Sequence, residues 1–544
     1  MSVSLILVNG KIYTMDGKLY EAVAISQNRI YRLGKTADVI NLRNKKTEVY
    51  DLQGKTVLPG FIDTHAHLAG YGRALQSADL NACHSLSDII SSCRKHIRIN
   101  QFKFGQWLIG RGWNQEKFIT EKRFPNRFDL DQVSDKHPIL LLRVCGHIGA
   151  ANSKALDMVK IKGTTRIEGG IVDLDHQGNP NGIIREAALE WFKKQVSDLA
   201  NLDSLENAIT RGANELLQYG ITSVHTEDSY DLGHSGIFQD IYDTYQNLKN
   251  NGKLPIRIYQ KVSLPHKENL LDFLAGPLRT GHGDSFYKIG PVKQWCDGTV
   301  GARTAALLKP YSDQQDNSGL LLYTKKEIIE NTTLAHTGGM QVCLHAIGDA
   351  ALDMVITAYE HLAENYRPGP RHRIVHCQVG NPSLYNRLAK LNVSINIQAA
   401  QTASDWVMMD DRLGSSRSVH CHNWRTLTDL GVCITGGSDI PVETPDVFYG
   451  IYAAVTRKDN EGNPPQGWLP QQKLTVEEAI KSYTSNAAWA AHEEEIKGTI
   501  KEGKLADLVV VNRDPFKVEA EELKKIKAYY VFIDGILKFS RNPL

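Results

Sequence analysis

His65 and His67 stand two residues apart at the end of the run Val57-Leu58-Pro59-Gly60-Phe61-Ile62-Asp63-Thr64-His65-Ala66-His67. Side chains alternate across a strand, so both imidazoles point the same way, with Asp63 on that face too. Two imidazoles converging at a strand mouth suit a divalent metal ion. A lone His-x-His pair is equally compatible with packed or solvated histidines, so its meaning depends on partners.

Candidate partners occupy other strand ends, where apolar residues are expected. Lys293 lies inside Val292-Lys293-Gln294-Trp295-Cys296-Asp297-Gly298. His345 ends Cys343-Leu344-His345, His376 ends Ile374-Val375-His376, and Asp439 follows Ile434-Thr435-Gly436-Gly437-Ser438. Any one of these fits a satisfied structural group; chance is a poor account of the set. Neutral imidazole and carboxylate suit Zn2+ and related ions. A buried, unpaired ammonium is costly, so Lys293 needs a reason to be there. It either pairs with a carboxylate or reacts with carbon dioxide. The resulting carbamate is an anionic ligand able to bridge two cations. Such a centre lowers the pKa of bound water and polarises a carbonyl.

The elements that position these residues have a regular rhythm. Eight strand-like runs lie at 57–67, 220–225, 256–259, 292–295, 341–345, 373–376, 393–397 and 432–436, with helices expected at 204–218, 325–336 and 350–365. Alternating strands and helices point to an α/β protein built on a (β/α)8 barrel, whose strand ends converge on one mouth. A doubly wound open sheet is the alternative, but no G-x-G-x-x-G follows a strand. About 150 residues separate the first two runs, too many for an ordinary connection. Residues 70–205 are therefore read as an insertion at the active-site face.

Both ends of the chain have a different texture. Residues 1–57 read as short strands with hairpin dipeptides at Asn9-Gly10 and Asp16-Gly17 and a turn at Gln27-Asn28. Strand-like runs near 506–511 and 529–535 match them, so the termini are expected to pair into one small sheet domain. Thr475-Val476-Glu477-Glu478 reads as a capping box opening a helix.

Composition excludes several classes. The 544 residues carry 63 basic and 61 acidic side chains, a net charge of +2, which gives no reason to expect a nucleic-acid or membrane-surface partner. No run approaches the roughly 20 apolar residues of a membrane span. Leu5-Ile6-Leu7-Val8 is too short for a signal peptide. Eight cysteines without a C-x-x-C read as small buried hydrophobes in a reducing, cytoplasmic setting. A homodimer is the default expectation for assembly.

The pattern resembles the amidohydrolase superfamily, closest to the YtcJ-like metal-dependent hydrolases of the amidohydrolase-3 group. Besides the ligand set, the likeness rests on 58–67, on Gly146-His147-Ile148-Gly149-Ala150-Ala151-Asn152, and on Asp297-Gly298-Thr299-Val300-Gly301-Ala302-Arg303. It rests also on His345-Ala346-Ile347-Gly348-Asp349, Gly437-Ser438-Asp439-Ile440-Pro441 and the tail at 497–508. The resemblance implies a distorted TIM barrel (58–498) with a β-sandwich from both termini (1–57 with 499–544). It implies that His65, His67 and Asp439 hold one ion, that His345 and His376 hold a second, and that carboxylated Lys293 bridges two Zn2+ ions. Lys288, five residues upstream, is the rival lysine. Asp63 becomes secondary, because the site is complete without it. The implied activity is hydrolysis of a non-peptide C–N bond in a small molecule. A hydroxide held on the metals attacks, and Asp439 acts as base and then acid. The same centre could instead serve esters, lactones or phosphoesters. A non-catalytic scaffold is a third reading, opposed by six competent ligand positions. His147, Asn152 and Arg303 are candidate substrate contacts, each equally open to a structural role. His225 reads as packed or supporting. Trp107, Trp113 and Trp295 are candidates to line a pocket, with core packing as the default.

Overall fold

In a computed structural model, the structure describes residues 2–119, 121–143, 148–195, 205–229, 237–367 and 369–541. They divide into two compact units, one of 1–70 with 213–544 and the other of 71–212.

The first unit contains eight strands in one parallel sheet, in chain order: β1 (Phe61–Ala66), β2 (Ile221–Thr226), β3 (Arg257–Ser263), β4 (Tyr287–Trp295), β5 (Val342–Ala346), β6 (Arg373–His376), β7 (Ser394–Ile397) and β8 (Cys433–Gly436). Each pairs in parallel with its neighbours, as at Lys293 beside Cys343 and Ala346 beside His376. The seam between β8 and β1 is bridged by other bonds. Thr64 Oγ1 donates to the Gly436 carbonyl at 2.8 Å, the Asp439 amide to the His65 carbonyl at 2.7 Å, and the His67 amide to the Ile440 carbonyl at 2.9 Å. Every residue of β1 and β2 is buried, as expected of strands covered on both faces. Helices at Leu205–Leu217, Lys325–Thr337 and Asp349–Asn365 return the chain between strands. The capping box at Thr475 opens the helix Val476–Ser482.

The terminal strands depart from the expected layout in two places. The run 57–67 is not one strand. Thr56–Pro59 pairs antiparallel with Leu508–Val511, and β1 begins only after Gly60. A Cβ at Gly60 would lie 2.3 Å from Thr222 Oγ1, so glycine is what lets the chain pass from one sheet to the other. Asn9-Gly10 is likewise not a hairpin. Val3–Val8 belongs to a four-stranded sheet, and Lys11–Tyr13 to a six-stranded sheet that also holds Thr56–Pro59 and the C-terminal strands. The dipeptide carries the chain between sheets. The turn at Gln27-Asn28 does close an antiparallel pair, with Ser26 opposite Arg29. Both sheets feed one apolar cluster that includes Leu7, Ile25, Val57, Val510 and Phe532.

Arg257, at the start of β3, ties the barrel to the C-terminal strands. It is 1% exposed; its Nε and NH2 donate to Asp507 at 2.6 and 2.8 Å, and NH2 also reaches Asp534 at 2.6 Å.

The 71–212 unit is a six-stranded mixed sheet in the order 170–174, 180–186, 148–151, 139–143, 108–113, 78–79. Its faces alternate as a pleat requires. Ile139 and Leu141 join one apolar cluster, Leu140 the other.

Candidate metal centre

The barrel interior at the C-terminal ends of the strands is polar. From β1, His65 is 1% exposed, and His67 follows just beyond the strand end. The Nε2 atoms of both rings face Asp439 Oδ1, at 3.2 Å and 3.4 Å. His376 faces His65 with ring centroids 5.5 Å apart and His345 at 4.5 Å. Ligand atoms of His65, His376 and Asp439 all lie within 4.8 Å of one another. Two of these residues depend on unusual backbone. His376 has φ 77° and Asp439 φ 60°, left-handed values that a residue with a Cβ rarely takes. Arg373, on β6, reaches His225 Nδ1 at 3.0 Å inside the barrel, so simple alternation would turn His376 outward. The positive φ coincides with its return to the centre.

Each imidazole is oriented by a partner on its far nitrogen, the arrangement that fixes tautomer and aim. His376 Nδ1 donates to Gln398 Oε1 at 2.8 Å, which leaves Nε2 as the lone-pair nitrogen. His345 Nε2 donates to the Gly298 carbonyl at 3.2 Å, leaving Nδ1. His67 Nδ1 faces Glu227 Oε2 at 3.4 Å, and His65 Nδ1 lies 2.5 Å from Lys261 Nζ. Asp297 fixes the turn after β4 by accepting the amides of Ala306, Ile347 and Gly348.

Burial and charge set the protonation states. Burial, aided by the Lys261 and Lys293 charges, holds His65 well below the usual imidazole range. Burial and neighbouring His345 do the same for His376. Burial would lower His67 too, but bonds to Asp439 and Glu227 outweigh it and raise His67 to about 10. Without a metal ion, the two carboxylates draw a proton onto this ring: the site favours positive charge. Burial lowers Lys261 to about 7, within reach of its neutral form.

Lys293 is 0% exposed, and its Nζ has no hydrogen-bond partner among the described residues. It lies 4.4 Å from the centroid of the Trp295 ring. Lys288 instead pairs with Glu493 at 2.8 Å. Lys293 is thus the unsatisfied lysine beside the cluster. The residues present fit a divalent metal: lone-pair nitrogens, an ionised carboxylate and an orphaned amine meet at one mouth.

The other candidate residues have partners of their own where they are described. Asn152 is 0% exposed and caps the helix Ser153–Val159, accepting the amides of Ala155 and Ile139 and donating to the His137 carbonyl. Its amide is spent on framework. Arg303 forms a forked pair with Asp313 at 3.2 and 2.9 Å. His147 lies outside the described residues. Asp63 accepts from Ser438 Oγ at 2.5 Å and from the amides of Ser438 and His65, so it stitches the seam. His225 is buried against Arg373 and Tyr259. Trp113 and Trp107 are core residues of the 71–212 unit, whereas Trp295 lines the chamber above the cluster.

Sequence reasoning missed Glu227 and Lys261. Lys261 carried the signal used for Lys293, a lysine inside an apolar strand. Glu227 lies two residues beyond His225, just past the end of β2. The chamber has a volume of about 310 Å3 and is walled by Trp295, Val300, Met408, Asp405 and Glu443 besides the cluster.

Known proteins resemble this chain in sequence and in fold. The model of the family described as "Amidohydrolase family" matches residues 48–537. The chain is 32% identical over 546 residues to the putative amidohydrolase YtcJ of Bacillus subtilis, covering 98% of this chain and 99% of that one. It is 27% identical over 558 residues to the N-substituted formamide deformylase of Arthrobacter pascens, covering 99% and 98%. An uncharacterized metal-dependent hydrolase from Pyrococcus furiosus superposes with a TM-score of 0.74 at 28% identity, over 94% of this chain and 100% of that one. The chain belongs to the amidohydrolase family of metal-dependent hydrolases.

Proposed function

We propose that this protein hydrolyses a non-peptide C–N bond, in the first instance an amide of a small N-substituted molecule. The observation that carries the reading is the cluster of His65, His376 and Asp439, with His67 and His345 against it and the orphaned amine of Lys293 buried nearby. The formamide deformylase relative supports the choice of bond.

His65, His67 and Asp439 would hold one divalent ion, His345 and His376 a second, with Zn2+ the expected metal. Lys293 would bridge them as a carbamate. Burial lowers its pKa, favouring the neutral amine that attacks carbon dioxide; an N–C bond forms and a proton leaves. Bound there, the metals supply a Lewis acid and lower the pKa of water. Were His65 to offer Nε2 to the metal, its hydrogen would sit on Nδ1 and could donate to Lys261, which burial brings within reach of its neutral form. Asp439 is pushed up by burial, but the hydrogen bond and charge of His67 hold it below the usual carboxylate range. It can therefore take the proton of the attacking water and return it to the leaving nitrogen. Gln401 Nε2, 3.3 Å from Asp439 Oδ2, orients that carboxylate.

The test is Asp439→Asn in metal-loaded protein against an N-alkylformamide panel. Turnover is expected to vanish while the melt of the metal-free protein is unchanged; retained turnover would refute the role. Intact-mass analysis showing no carbon dioxide adduct on Lys293 in metal-loaded protein would refute the carbamate.

A further inference from the structure

Two carboxylates of the chamber wall have no lysine or arginine partner among the described residues. Asp405, from the helix Gln401–Leu413, is 9% exposed. Its Oδ2 faces His422 Nε2 at 3.1 Å, and burial keeps His422 neutral against the pull of that carboxylate. Its Oδ1 has no hydrogen-bond donor among the described residues. Glu443, four residues after Asp439, accepts from Ser404 Oγ at 2.9 Å through Oε1, and its Oε2 likewise has no donor there. Both carboxylates line the chamber, and neither has a cationic partner among the described residues.

Three buried or half-buried arginines of this unit have other partners. Arg303 and Arg412 both bind Asp313. Arg457 stacks on Trp424 and Trp468 behind His422. Among the described residues lining the chamber there is no lysine or arginine. Trp295, Val300 and Met408 supply an apolar, polarisable part of the wall, beside neutral Thr299, Gln378 and Gln401. Partly desolvated carboxylates without cations are costly, and a cation placed between them and an aromatic ring recovers that cost.

We propose that the substrate carries a permanent or protonated ammonium group on an apolar spacer, and that Glu443 and Asp405 select for it. The chemical class is an N-(ammonioalkyl) amide, with the scissile amide at the metal cluster and the ammonium against the two carboxylates. Substrates ending in a carboxylate are rejected by like charge. This inference rests on the amide-hydrolase reading for the reacting bond, but not for the cation subsite.

Two measurements separate those claims. The first is calorimetric titration of metal-loaded protein with hexyltrimethylammonium, whose quaternary nitrogen cannot ligate a metal. Binding should weaken about tenfold in Glu443→Gln and similarly in Asp405→Asn, the loss expected for one partly desolvated charge contact. Equal affinity in wild type and both variants, with melts intact, overturns the proposal. The second is kcat/KM for three N-alkylformamides of equal length, ending in methyl, ammonium or carboxylate. The ammonium compound should lead, the carboxylate compound should trail, and Glu443→Gln should shrink the ammonium-to-methyl ratio about tenfold, chiefly through KM. A charge-blind ranking overturns the proposal. No turnover of any amide, with cation binding retained and Glu443-dependent, refutes the amide reading and leaves the cation subsite standing.

Discussion

Glu227 offers a sharp test of the centre, because it touches the proposed ligand set without belonging to it. It is 0% exposed, one carboxylate oxygen accepts the Ser229 amide at 2.8 Å, and the other faces His67 Nδ1 at 3.4 Å. Burial alone would push its carboxyl up; the bond and charge of His67 bring it below the usual range, so it is ionised. Glu227→Gln preserves volume and the Ser229 contact and removes only the charge that fixes and polarises His67. Losing such a partner typically weakens metal binding about 10- to 100-fold. The 3.4 Å separation is long for a charge-assisted bond, and the amide oxygen still accepts, so the lower end applies: about tenfold, or ~1.4 kcal/mol. Protein stripped by a chelator and titrated with Zn2+ against a chromophoric competitor reads this directly. Glu227→Ala, which also leaves Nδ1–H without an acceptor, should approach 100-fold. If Glu227→Gln binds Zn2+ as tightly as wild type with its melt unchanged, His67 is not a ligand oriented through Nδ1.

Three further outcomes follow from other parts of the molecule. Arg257→Met strands the buried Asp507 carboxylate and should cost about 3–5 kcal/mol in urea denaturation; a loss under ~1 kcal/mol would show that the Asp507 and Asp534 contacts do not bind the barrel to the terminal strands. Lys293→Met replaces an unpartnered amine by an apolar chain, so metal-free protein should be as stable as wild type or firmer by about 1 kcal/mol. Its metal content should fall, and unchanged stoichiometry would remove Lys293 from the centre. Burial lowers His372 to about 3, where its Nδ1 accepts the Val342 amide and its Nε2 faces His336. The unfolded chain binds this proton below about 6.5 and the folded chain only near 3, so stability is full above 6.5 and falls as the solution is acidified. Going from pH 7 to 5 should cost wild type about 2 kcal/mol that His372→Gln does not lose; parallel urea midpoints for the two proteins would refute it.

Which parts were legible in the sequence follows from how local each signal is. The pair His65 and His67 was readable because a strand alternates, and the period of two needs no tertiary information. His345 and Lys293 stood out as polar residues in apolar strands for the same reason. Asn152 stayed open to two roles, because a buried cap and a substrate contact call for the same residue type; its bonds to Ile139 and His137 make it a cap here. Arg303 was open to either role in the same way, and the structure shows its fork on Asp313. Glu227 was overlooked because a carboxylate just past a strand end looks like ordinary solvated polarity until burial is known.

The sequence alone determined the strand rhythm, the residue types at the mouth and hence the class of chemistry, since periodicity and donor identity are written locally. Tertiary structure decided the rest. Closure of the eight-stranded sheet brings Asp439 within 3.4 Å of His65 and His67, although more than three hundred residues intervene. Left-handed backbone at His376 and Asp439, which no side-chain pattern announces, accompanies their place in the cluster. Burial turns Lys293 from a surface-type residue into an amine unsatisfied among the described residues, and leaves Asp405 and Glu443 without a lysine or arginine among them. These are properties of distance and desolvation, which exist only once the chain has folded.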